Sequence, residues 1–137
     1  MTPDVEKALA AVRRAFDGHA VETMETGDGG VHVIVEDLDL GPAFTPERSW
    51  IGFTIPFNHP LGDVYPHFVR PDLARADGTP LMSPLNAGQV MPGFERPATM
   101  LSRRSNHWNP SRDTAALKLM RIVGWFADEA QPVGSAA

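Results

Sequence analysis

The sequence predicts an α+β fold, an antiparallel four-stranded meander with an N-terminal helix before it and a second helix after it. Three observations predict this. Apolar residues recur at helical spacing near both ends of the chain, they alternate with period two between residues 31 and 55, and turn-forming residues separate the alternating runs.

The first helix is expected in "TPDVEKALAAVRRAF" (2–16), where Val5, Leu9, Val12 and Phe16 share one face. Pro3 and Asp4 suit a first helical turn and Gly18 suits a stop. Next, "AVETMET" and "VHVIVEDLDL" flank "GDGG" (27–30), which reads as a hairpin. Val31, Val33 and Val35 make one face of the second arm apolar, so His32 is expected to look outward. A third strand, "SWIGFTIPF" (49–57), sets Ile51, Phe53 and Ile55 opposite Trp50, Gly52 and Thr54, and Pro56 closes it. "HFVRPDL" (67–73) reads as a short fourth strand. Residues 74–100 read as loop, because "DGTP", "SPLN" and "MPGFERP" are turn signals. The last element, "DTAALKLMRIVGWFADEA" (113–130), is a helix. Leu117, Met120, Ile122, Val123, Trp125 and Phe126 are expected to spread over more than half its circumference and to bury it against the sheet. Ser111 or Asp113 is placed to cap its start. One domain is expected over residues 1–130, with a disordered tail at 131–137.

Composition narrows the function classes. The chain has 137 residues, enough for one core, and its 42% hydrophobic and 21% charged residues are those of a globular protein. A net charge of −5 argues against a broad nucleic-acid surface, although Arg96, Arg103, Arg104 and Arg112 cluster against that trend. No stretch reaches the ~20 apolar residues a membrane span needs, and the start of the chain lacks the apolar run of a signal peptide. A cytoplasmic location with no membrane partner is expected. The absence of cysteine removes disulfides, thiolate zinc sites and thiol nucleophiles. His59, Asp63 and His67 recur at a spacing of four, which on a helix would let three metal ligands converge. Pro60 and Pro66 oppose that helix, and no metal or cofactor is expected.

Two stretches carry a resemblance. "FTIPFNHPLGDVYPHFVRP" (53–71) runs apolar strand, Pro, loop, Tyr–Pro, strand, Pro. "SRRSNHWNPSRD" (102–113) then leads through Trp–x–Pro into the closing helix. Together they resemble the ubiquitin-conjugating (UBC) superfamily, and within it a cysteine-less bacterial branch whose last loop carries a Ser–Arg–His-type motif before Trp–x–Pro–x–x–Asp. Ser102, Arg103, Trp108, Pro110 and Asp113 fit, whereas Arg104 stands where that branch has histidine. The resemblance spans roughly residues 2–130 and implies a UBC-like fold. It also implies a conjugating enzyme that accepts a ubiquitin-like protein from an activating enzyme. The usual cysteine would fall near Met100, so an oxyester on serine would take the place of the thioester.

A serine hydroxyl, unlike a thiol, is not ionised near neutrality and needs a base and an oxyanion donor. On this expectation Ser102 is the nucleophile, His107 the base and Asn106 the oxyanion donor, with Ser105 as an alternative nucleophile. Arg103, Arg104 and Trp108 would meet the partner. Plainer roles stand beside these: serine as a turn residue, Asn106 in an Asx turn, His107 packed on Trp108, Asp113 as a cap. The second functional expectation is a non-catalytic adaptor that binds a ubiquitin-like protein or its activating enzyme.

Overall fold

The computed structural model describes residues 1–130; the expected tail at 131–137 lies outside them. Helix α1 (Pro3–Ala15) begins at Thr2, whose hydroxyl accepts the amide of Val5, and buries Val5, Ala8, Leu9 and Val12. Eight strands follow: β1 (Val21–Glu25), β2 (Val31–Asp39), β3 (Phe44–Thr45), β4 (Arg48–Ile55), β5 (His67–Val69), β6 (Ala74–Arg75), β7 (Leu85–Met91) and β8 (Arg96–Leu101). Helix α2 (Ala115–Asp128) closes the chain.

Six strands form one antiparallel sheet in the order β1-β2-β4-β5-β8-β7, and β3 pairs with β6 in a small second sheet. The expected hairpin is present, with Val21 opposite Val35 and Glu25 opposite Val31. The expected four-stranded meander is not. Residues 74–100, read from sequence as loop, contribute β6, β7 and most of β8. Their pattern hid them: β7 is buried only at its two ends, so it lacks the alternation that marks a strand. Its register also shifts between Asn86 and Gln89, around Gly88, whose positive φ of 74° makes a bulge there. The UBC-like fold expected from the two motifs is corrected by this two-sheet, eight-strand topology. With it fall the conjugation and oxyester chemistry drawn from that frame. Met100, near which the resemblance placed the missing thiol, sits inside β8 between Phe68 and Asn86, not in a loop.

One sheet face carries the main core. Val31, Val33 and Val35 of β2 and Ile51, Phe53 and Ile55 of β4 are fully buried there with Val5 and Val12 of α1 and Leu119 and Phe126 of α2. The opposite face holds Ile34, Phe68, Met91 and Ala98, with Trp50, Phe94 and Met100 packed around them. The β7–β8 hairpin bends back over this face. Its turn brings Gly93 so close to His32 of β2 that a Cβ there would overlap the imidazole ring. Arg96 reaches Glu36 and Glu22, both at 3.0 Å, across the ring of Trp50. His32 is therefore half-buried and bonds Thr54 through Nδ1 at 2.7 Å.

Helix α2 departs from the expected burial. Leu117 and Met120 are exposed, while Ala115, Ala116, Lys118, Leu119, Ile122 and Phe126 face inward. The cap is Thr114, which accepts the amide of Leu117 at 3.1 Å. Asp113 is spent elsewhere, as described below.

Candidate functional site: an arginine-lined groove beside the second helix

The loop from Ser102 to Thr114 is fixed by two sets of polar contacts. The first is buried. Lys118 lies on the inward face of α2 with its side chain 4% exposed, and an ammonium so placed needs anionic and carbonyl partners. It donates to Asp63 at 3.0 and 3.1 Å, to the carbonyl of Arg103 at 2.9 Å and to the hydroxyl of Ser105 at 2.8 Å. Asp63 also accepts the amide of Ser105 at 2.6 Å and its hydroxyl at 3.1 Å. Burial works against the charged form of Asp63, but the Ser105 amide and the Lys118 ammonium outweigh it, and the carboxyl sits below its ordinary range.

The second set shapes the approach to α2. Asp113, 4% exposed, accepts the amide of Asn109 at 2.7 Å and the guanidinium of Arg121 at 3.1 Å. The Asn109 amide first, then Arg121, hold its carboxyl below the usual value. Asn109 in turn accepts the amide of Ser111 at 2.9 Å, an Asx turn three residues after the one expected at Asn106. Trp108 donates its indole N–H to the carbonyl of Pro60 at 2.7 Å and stands edge-on to His59, so it ties this loop to residues 56–66.

Between these anchors and α2 lies a groove of about 350 Å³. Arg103, Arg104, Arg112, Arg121 and Lys118 line it against one carboxylate, Asp113, and Ile122 and Trp125 supply its apolar part. Two guanidinium groups are seated on aromatic faces: Arg103 5.6 Å from the Trp125 ring centre and Arg104 4.1 Å from that of Tyr65. Arg48, Arg70, Arg75, Arg96 and Arg121 all pair with carboxylates. Among the described residues, no carboxylate lies within ion-pair distance of Arg103, Arg104 or Arg112.

The sequence-predicted residues divide as follows. Arg103, Arg104, Asn106 and His107 line the groove, as does the alternative serine, Ser105. Ser102 is not among its lining residues; its amide donates to the carbonyl of Pro84 at 2.9 Å, which ends the β7–β8 pairing. Among the described residues, no hydrogen bond joins Ser102 to His107, and His107 is exposed. His59, Asp63 and His67, spaced by four in the sequence, serve different tasks. Asp63 serves Lys118, and His59 packs against Trp108. His67 is fully buried against Phe53, both its ring nitrogens lack a partner among the described residues, and burial pushes its imidazole down to about 3.

Sequence reasoning missed Lys118, Arg121 and Trp125. Lys118 had a readable signal, since it falls three residues after Ala115 and four before Ile122, both on the buried face of α2. A lysine in that phase demands a carboxylate from elsewhere in the chain. No family model, curated protein or solved structure matches the chain.

Proposed function

We propose that the chain is a non-catalytic binding module whose groove holds the carboxylate end of a partner protein's tail. The observation that carries this is the set of unpaired guanidinium groups at Arg103, Arg104 and Arg112 around one groove in a chain of net charge −5. Their planar forks suit a carboxylate, which accepts two parallel N–H bonds. A long polyanion is disfavoured, because the arginines cluster locally in a chain whose net charge is −5. A nucleobase is disfavoured as well, because the Trp125 ring, the aromatic surface of the groove, already carries Arg103. A slim terminus meets neither obstacle. The C-terminus of a ubiquitin-like protein, the partner implied by the loop's resemblance, has that form.

The test uses a mixed-sequence pool of fluorescein-labelled octapeptides with free C-termini, and the same pool amidated, in fluorescence anisotropy titrations. The free acids are expected to bind at least about tenfold more tightly than the amides, the size of effect of one charge-assisted hydrogen bond. Arg104→Ala is expected to remove most of that difference. Equal affinity of the two pools would overturn the reading.

A further inference from the structure

A second cavity adjoins the groove. It has a volume of about 280 Å³ and lies between α1 and the segment leading into α2. Ala8 and Ala11 of α1 form one wall, Pro60 and Pro110 another, and the 5% exposed His59 also lines it. Its two alanines and two prolines present methyl and methylene surface, and Asp4, Lys7, Arg14 and Arg112 line the cavity beside them. The two cavities share Arg112 and Asp113. Asp113 is held by Asn109 and Arg121, so the shared wall is fixed. Arg112 is exposed and borders both spaces, and among the described residues it has no carboxylate partner.

The geometry points to a two-part recognition site, in which the tail that places its carboxylate among the arginines seats an apolar side chain, a few residues upstream, between Ala8, Ala11, Pro60 and Pro110. The inference rests on the proposed binding of a carboxylate end and adds what that tail must contain. A cavity of this size accommodates one aliphatic or aromatic side chain. Complete burial of such a side chain changes affinity by roughly 10- to 100-fold, so it can set selectivity among tails that all carry the same terminal charge. The partner is accordingly a protein whose C-terminal segment combines a free carboxylate with one nearby large apolar residue.

The experiment incubates the protein with the mixed-sequence free-acid octapeptide pool and reads the bound fraction by mass spectrometry. Leu, Ile, Met or Phe is expected to be enriched at one position counted from the carboxylate. Two variants fill the second cavity from opposite sides, Ala11→Phe from the helix and Ser111→Trp from the exposed rim; thermal unfolding checks that each is folded. In a folded variant the positional enrichment is expected to disappear while the preference for free acid over amide persists. Carboxylate-dependent binding without positional enrichment, or enrichment unchanged in both cavity-filling variants, would overturn the two-part site and leave the arginine groove standing. Loss of the free-acid preference in the unaltered protein would overturn both.

Discussion

Lys118 has the most constrained environment of any charged residue near the groove. Its three ammonium protons have three kinds of acceptor, the Asp63 carboxylate, the Arg103 carbonyl and the Ser105 hydroxyl. Asp63 belongs to the 56–66 loop and Arg103 and Ser105 to the arginine loop, so one cation on α2 joins the two loops to the helix. Removing it leaves Asp63, 16% exposed, without its counter-charge. Lys118→Met is therefore expected to destabilise the protein by about 3 kcal/mol, the range seen when one partner of a buried pair is deleted. Asp63→Asn combined with Lys118→Met is expected to cost less than the sum of the two single changes, because the orphaned charge is then gone. Urea unfolding of the four proteins in the cycle measures the coupling; strict additivity would show that the contact contributes nothing as a pair. The same residue shows what was legible. The arginines and His107 could be read directly from "SRRSNHWNPSRD". Their anchor could not, since it depends on Asp63 and Lys118, 55 residues apart, meeting through the sheet.

At the scale of elements, α1, the β1–β2 hairpin and β4 were legible, because their apolar periodicity matches the face they bury. The β7–β8 hairpin was not. Its strand β8 contains Pro97, its strand β7 contains Gly88, and much of β7 is exposed. What holds this hairpin is tertiary: Met91 packed over Gly52, Gly93 against His32, and Arg96 bridging to Glu22 and Glu36. Gly93 combines a φ of 82° with its close approach to the imidazole. Gly93→Ala is expected to destabilise by roughly 1–3 kcal/mol, since the backbone is in a region that L side chains avoid and the ring has to move. A shift of the urea midpoint with an unchanged slope would report this. An unchanged midpoint would mean that the hairpin does not depend on the contact.

For the whole molecule, the sequence gives a reliable class, helices and antiparallel strands in one domain-sized chain, and an unreliable topology. Two short motifs pointed to a known superfamily, yet strand order is decided by pairings between distant segments that no local motif encodes, here β5 with β8 and β8 with β7. The consequence for function is specific. In the loop expected to hold a nucleophile, Ser105 is engaged with both an acid and an ammonium, and among the described residues three neighbouring arginines have no carboxylate partner. Among the described residues no helix is long and apolar enough to cross a membrane, and the groove proposed to bind a partner runs along α2 from Lys118 to Trp125 beside the arginine loop. The most direct measurement is a two-dimensional 15N–1H NMR titration of the protein with the free-acid octapeptide pool. Binding at the groove is expected to shift the amides of Arg103 to Asp113 and those of Arg121 to Trp125, and the amidated pool is expected to leave them in place. Shifts confined to β1, β2 or the β7–β8 hairpin, or identical shifts with the amidated pool, would contradict it.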